Sequence, residues 1–268
     1  MTDRTMGNVL LIGFGAMGRS VFNALRDSRE IGTWWILERA HRRAEIQARL
    51  VNAQVIGSLG ELTAQPDLVI ECAGHEALAV LVPQLLERGI PAIVASAGAL
   101  ADERVAERLE NAARRGRAHL TLVPGALAGI DALAAARAGL HNVTYIGRKP
   151  PIGWLGTPAE QMVDLRALDE STQIFAGSAR EAARLYPRNA NVAAIVALAG
   201  IGLDETKVAL HADPTVTRNT HEVHAAGAFG ELRVQVSATP LPENAKTSAL
   251  AALSVARAVR NTFSWCVV

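Results

Sequence analysis

The chain has 268 residues, half of them hydrophobic, with 27 Lys and Arg against 26 Asp and Glu. That even balance argues against nucleic acid or an anionic membrane surface as the main partner. The length suits two modest domains and needs no disulfide or metal to fold. No apolar run nears the ~20 residues of a membrane span. Cys72 and Cys266 lie far apart, which suggests no disulfide framework or metal cluster. The opening residues lead straight into a strand and leave no room for a signal peptide, so a reducing cytoplasm is expected.

The first predicted strand is Asn8-Val9-Leu10-Leu11-Ile12, followed by Gly13-Phe14-Gly15-Ala16-Met17-Gly18 and a helical pattern carried by Val21, Phe22 and Leu25. Strand, glycine turn and helix in that order form a dinucleotide fingerprint. Gly13 permits the turn, Gly15 admits a pyrophosphate, Gly18 lets helix and strand pack closely, and the helix start offers free N–H groups. After a second apolar run, 33–37, comes Glu38, twenty residues past Gly18. An acid there accepts hydrogen bonds from ribose hydroxyls. Arg39, Arg42 and Arg43 follow it and could neutralise a 2′-phosphate, so both NAD and NADP are candidate cofactors.

A polar helix is predicted over 40–50, strands over 67–71, 91–95 and 119–123, and helices over 76–88 and 102–115. Continuous apolar strands alternating with helices predict a doubly wound parallel sheet with ligand at the strands' carboxyl ends. Two loops would border the cofactor there, Ala73-Gly74-His75 and Ser96-Ala97-Gly98. From Pro124 the pattern changes. Short helices are expected over 130–138, 178–186 and 191–201, strands over 143–146, 207–211, 221–226 and 232–237, and a turn-rich stretch over 149–158. Pro240 and Pro242 close the strands, and a long helix is predicted over 246–260. The fold class is therefore α/β, with a dinucleotide-binding domain over 1–125 rejoined by the carboxyl-terminal helical segment 241–268. The second domain, 126–240, is catalytic, of α+β type, with a mixed sheet.

Bound nicotinamide would supply hydride chemistry, leaving the protein to position substrate and manage charge. Of the seven histidines, His75 falls in a cofactor-side loop. His221 and His224, three apart on a predicted strand, point to opposite faces, so only one would face substrate. No third ligand at familiar spacing accompanies them, so no metal is expected.

Several blocks carry a resemblance to one family: Cys72-Ala73-Gly74-His75, Pro124-Gly125-Ala126, Tyr145-Ile146-Gly147-Arg148-Lys149-Pro150 and Gly177-Ser178-Ala179-Arg180-Glu181-Ala182. Pro187-Arg188-Asn189-Ala190-Asn191-Val192-Ala193-Ala194, Asn219-Thr220-His221-Glu222 with Gly227-Ala228-Phe229-Gly230, and Lys246-Thr247-Ser248 extend it along nearly the whole chain. The chain resembles L-aspartate dehydrogenases, enzymes built on a Rossmann half. The resemblance implies NAD(P)-dependent oxidative deamination of L-aspartate to iminoaspartate, which hydrolyses to oxaloacetate and ammonia, or the reverse amination. The imine can also feed NAD synthesis. His221 takes the catalytic histidine's place, Ala126 and Asn191 take further dinucleotide-contacting positions, Asn189 lies close enough to contribute, and His224 has no assigned role.

A dicarboxylate substrate calls for cations, and Arg148, Lys149 and Lys246 are the substrate-binding candidates, with Arg180 and Arg188 in the wider set. The competing readings are another amino-acid or imine oxidoreductase, of dihydrodipicolinate reductase or homoserine dehydrogenase type, and a non-catalytic dinucleotide sensor. A homodimer is the default assembly for an open mixed sheet.

Overall fold

The apolar run at the start of the chain forms β1, Gly7–Ile12, in the computed structural model, which describes residues 6–187 and 191–267. Arg188 and Asn189 therefore lie outside the described residues. The chain forms two compact units. One runs through Ser96 and adds Glu103–Val123 and the chain from Ala252 on, and the other holds Ala97–Asp102 and Pro124–Ala251.

In the first unit β1 leads through the glycine turn into α1, Ala16–Leu25, which buries Gly18, Val21, Phe22 and Leu25. That i, i+3, i+4, i+7 stripe is the apolar face of a helix on a sheet. Next come β2, Ile31–Leu37, and α2, Ala40–Arg49, a polar helix. The short strand β3, Gln54–Ile56, was not among the expected elements. The rest are β4, Leu68–Glu71; α3, His75–Glu87; β5, Ala92–Val94; α4, Glu103–Gly116; and β6, Leu120–Leu122. All six strands pair in parallel in the order β3-β2-β1-β4-β5-β6. The order reverses between β1 and β4, and ligands of doubly wound sheets bind at the strand ends beside such a reversal.

The second unit contains α5, Ile130–Ala135; β7, Leu140–Lys149; β8, Thr172–Ser178; α6, Ala179–Leu185; α7, Asn191–Ala199; β9, Lys207–Ala212; β10, Asn219–Gly227; and β11, Gly230–Ala238. Its sheet runs β11-β10-β7-β9-β8, with only β7 and β9 parallel, so it is mixed as expected. Val143, Tyr145, Gly147 and Lys149 of β7 are buried, while the residues between them are partly exposed. This alternation puts the four on one face. The nearly all-apolar α7 lies against β7.

Three local expectations change. The strand expected over 143–146 spans ten residues, carrying Arg148 inside it and ending on Lys149, where a turn-rich stretch was expected to begin. A strand, β8, lies where no element was expected, between the turn-rich stretch and the helix expected from 178. Pro240 and Pro242 do not end the sheet structure: β12, Pro240–Leu241, and β13, Asn244–Ser248, form a small antiparallel pair. The final helix, α8, thus begins at Ala249 and runs to Phe263, and Lys246 sits on a strand. Ser248 Oγ accepts a hydrogen bond from Leu250 N at 3.1 Å, which marks the change from strand to helix.

Ala252, Val255, Ala256 and Val259 of α8 join Val9, Leu11, Val21, Phe22 and Ile36 in the core of the first unit. A Cβ on Gly7 would overlap the ring of Phe263, so this glycine makes room for the helix end. Among the described residues no helix is long and apolar enough to cross a membrane.

Candidate active site

The glycine turn owes its shape to close approaches on one side and open space on the other. Gly13 has φ +88°, and a Cβ there would lie 2.7 Å from Ala73 Cα. A Cβ on Gly18 would overlap the carbonyl oxygen of Gly13. Gly15 is the contrast: a Cβ would meet nothing within 4 Å. It caps α1 with no side-chain hydrogen bond, and no acid occupies the first helical turn. The free N–H groups and positive dipole end of α1 therefore suit a pyrophosphate, with Gly15 leaving the approach clear. Ala16 and Met17 are half-buried in that first turn. Phe14 turns inward, its ring edge-on to Phe22 at 5.7 Å, so its side chain belongs to the core.

Beside the turn lies a cavity of about 290 Å³ whose lining includes Gly13, Glu38, Arg39, Ala73, Val80 and Leu81. Its lining combines charged groups with aliphatic side chains, a mixture that suits a ribose and an adenine. Glu38 is buried at the carboxyl end of β2. Its carboxylate accepts from Phe14 N at 3.0 Å, Arg39 N at 2.9 Å and Arg42 Nη1 at 2.9 Å. A carboxylate has about four acceptor positions. Three taken leave room for one ribose hydroxyl while Arg42 stays bound.

Glu71, at the end of β4, went unnoticed in the sequence because it closes an otherwise apolar strand. Its fully buried carboxylate accepts from Ala73 N and Gly74 N, both at 2.7 Å, from Ser96 N at 3.2 Å and from Ser96 Oγ at 3.1 Å. Burial pushes its pKa above the ordinary carboxylate value, against the pull of these donors. One side chain thereby fixes the loop after β4 and the end of β5. Gly74, with φ +118°, then starts α3 at His75. Cys72 next to Glu71 is no reactive thiolate, since burial and then the Glu71 charge raise its pKa well above the usual thiol value.

In the second unit β10 separates the two histidines as its alternation requires. His221 is 4% exposed, and its Nδ1 lies 2.7 Å from Tyr145 Oη with the two rings stacked. His224 faces the other way, its Nε2 2.6 Å from Glu222 Oε1. Burial, and secondarily the charge of Lys149, lower the pKa of His221 to about 3, so the imidazole is neutral through the physiological range. Lys149 shares the buried face of β7 with Tyr145, its Nζ 5.2 Å from the centre of the Trp154 ring. A cation over an indole face is stabilised by the ring quadrupole. Arg148, one residue earlier, belongs to the opposite face, where Nη1 donates to Ser171 Oγ at 3.3 Å. The structure therefore brings Lys149 to His221 and parts Arg148 from it. The side chain of Lys246 lies outside the described residues.

Arg180 forks onto Asp204, Nε to Oδ1 at 2.6 Å and Nη2 to Oδ2 at 2.8 Å, and also donates to Ala101 O. Asn191 Oδ1, at the start of α7, accepts from Gly98 N at 2.9 Å and so steadies the loop expected to border the cofactor. Ala126 is buried in the turn after Gly125, which has φ +68°. Among the described residues no group of three or more His, Cys, Asp or Glu side chains is arranged to hold a metal ion.

Residues 13–123 match the family model described as homoserine dehydrogenase, NAD binding domain, and residues 131–262 match that described as aspartate dehydrogenase, C-terminal. An L-aspartate dehydrogenase of Cupriavidus necator is 50% identical over 261 residues, 96% of this chain and 97% of its own length. One from Cupriavidus taiwanensis is 49% identical over the same shares. The crystal structure of aspartate dehydrogenase from Thermotoga maritima superposes with a TM-score of 0.79 at 26% identity, covering 98% of this chain and 99% of that one. The nucleotide-binding half alone would leave several amino-acid dehydrogenases in play. The second half decides among them, and the chain belongs to the L-aspartate dehydrogenase family.

Proposed function

We propose that this protein oxidises L-aspartate to iminoaspartate with NAD or NADP as hydride acceptor, and runs the reverse amination when oxaloacetate and ammonia are supplied. Water then converts the imine to oxaloacetate and ammonia. The observation that carries the reading is a buried, neutral His221 sharing a sheet face with the buried cation Lys149, in a chain whose other unit holds a glycine-turn dinucleotide site. The nicotinamide supplies the hydride acceptor. The protein's own residues hold the coenzyme and the dicarboxylate and stabilise the charge that develops.

Gly13, Gly15, Ala16, Met17 and Gly18 would cradle the pyrophosphate, the Phe14 backbone contributing with them. Glu38 would take a ribose hydroxyl, and Ala73, Gly74, His75, Ala126 and Asn191 would complete the coenzyme contacts. Lys149 would bind a substrate carboxylate, where a compact ammonium suits a buried point contact. Arg148 and Lys246 remain secondary candidates for the second carboxylate. Two free cysteines suit a reducing cytoplasm. The proposed assembly is a homodimer, since β8 and β11 leave the mixed sheet with two unpaired edges among the described residues.

Initial rates with L-aspartate, L-homoserine and L-glutamate, each with NAD and NADP, test the reading. Aspartate should exceed the others in kcat/KM by at least about tenfold. Equal turnover of homoserine would overturn it, and no turnover with any of them would favour the sensor.

Coenzyme choice should turn on Arg42. With NAD it stays on Glu38; with NADP it turns to the 2′-phosphate, whose charge-assisted hydrogen bonds it is suited to make. Arg42→Ala is expected to raise KM for NADP by about ten- to a hundredfold and to leave KM for NAD unchanged or lower. Parallel titrations of both coenzymes at fixed aspartate measure this.

A further inference from the structure

His221 has two ring nitrogens, and its chemistry depends on which one carries the proton. Nδ1 points at Tyr145 Oη, 2.7 Å away. Tyr145 is 1% exposed, and burial pushes the pKa of its phenol up, so it stays protonated. Among the described residues His221 is the hydrogen-bond partner of that hydroxyl. A buried O–H must donate to something or bear the cost of an unsatisfied donor. If Nδ1 carried the ring proton, the phenolic oxygen would accept it and the phenolic proton would be left buried with no acceptor. If Nδ1 is bare, one hydrogen bond satisfies both groups.

The backbone is shaped to keep the pair together. Gly147 sits across from His221 in the β7–β10 register, two residues along from Tyr145. A Cβ on Gly147 would lie 2.9 Å from Tyr145 Oη and 3.1 Å from Leu210 Cδ2. The hydroxyl occupies the space that this missing side chain leaves.

We propose that Tyr145 is a positioning residue that donates its phenolic hydrogen to His221 Nδ1, locking His221 in the neutral Nε2–H tautomer so that it meets the substrate as a hydrogen-bond donor and not as a base. This rests on the reading that His221 acts on aspartate. The Nε2–H group is then aimed at a substrate oxygen, and the ammonium proton passes to water before hydride transfer. The low proton affinity of the ring supports the same division of labour, since a base that weak abstracts little at neutral pH.

The test is a long-range ¹⁵N–¹H correlation spectrum of the full chain labelled at histidine, with His221→Ala identifying the His221 signals by their loss. The wild type should show Nε2 protonated and Nδ1 as an acceptor. Tyr145→Phe keeps the ring and removes the donor. It should release the tautomer to a mixture and lower kcat for aspartate roughly tenfold or more, with coenzyme KM unchanged. Gly147→Ala, which retains the hydroxyl but displaces it, should shift the tautomer in the same direction. A wild-type ring protonated at Nδ1 would overturn the proposal, as would a Tyr145→Phe protein with unchanged tautomer and kcat. The kinetics of His221→Ala separate the two levels. Wild-type kcat there would sink the catalytic reading of His221, whereas lost activity with an unmoved tautomer in Tyr145→Phe would sink only the role of Tyr145.

Discussion

Replacing His221 with alanine is expected to lower kcat/KM for L-aspartate by about 10²–10⁴-fold, with binding of NAD and NADP to the first unit intact. The same change at His224 should cost under about tenfold, because that ring lies on the opposite face of β10 and is engaged by Glu222. Steady-state kinetics on both variants, with fluorescence titration of NADH, make the comparison. Similar small losses in the two would remove His221 from the mechanism. A second effect follows from linkage. The folded pKa of His221, about 3, lies below the ordinary 6.5, so on acidification the unfolded chain takes up this proton first. The fold therefore suffers no penalty from His221 above pH 6.5 and loses stability progressively as the pH falls from there towards 3. His221→Ala should remove that share of acid sensitivity, which urea midpoints at neutral and mildly acid pH would register.

The glycine turn yields the second large effect, as a contrast between neighbours. Gly18→Ala should destabilise the protein by about 1–3 kcal/mol, because the new methyl overlaps the backbone carbonyl of Gly13, which cannot move aside as a flexible side chain could. At this chain length that is a fall in Tm of several degrees, roughly 2–4 °C per kcal/mol. Coenzyme affinity should fall with it as α1 tilts off β1. Gly15→Ala should melt with the wild type, since its methyl enters open space and its φ of −75° suits any residue. The same methyl would stand where the pyrophosphate approaches, so KM for either coenzyme should rise roughly tenfold or more. A Gly15→Ala protein with unchanged coenzyme KM would place the pyrophosphate elsewhere.

Legibility differed sharply between the two units for physical reasons. A strand buried on both faces must be apolar throughout, and a helix on a sheet must show a stripe, so β1, β4 and α1 announced themselves. The three residues of β3 offer too few side chains for any period to show. In β8, Thr172-Gln173-Ile174-Phe175-Ala176-Gly177-Ser178, only Ile174 is fully buried, and pairing with β9, not composition, makes it a strand. Prolines at 240 and 242 read as terminators, yet Pro240 opens β12, a position where a missing N–H is tolerated.

The site divided along similar lines. The opposition of His221 and His224 followed from the two-residue period of a strand once a strand was assumed. Spacing did not choose between them; the family resemblance pointed to His221, and burial sets it apart from His224. Arg148 and Lys149 looked equivalent as neighbouring cations just past a predicted strand. Their inclusion in β7 sends them to opposite faces. Tyr145 and Glu71 were missed because the contacts that single them out join residues distant in sequence, Tyr145 to His221 and Glu71 to Ser96. The one local hint was an acid ending an apolar strand.

The placement of α8 has a consequence for how the protein is made. The core around β1 and α1 stays open on one side until Val255 and Val259 arrive, more than two hundred residues later in the chain. During synthesis the amino-terminal sheet must therefore leave the ribosome with an uncovered apolar flank, while the intervening unit can already mature. Vectorial folding would finish the middle of this polypeptide before its beginning, and holdase chaperones would find their binding surface on the nascent nucleotide-binding half.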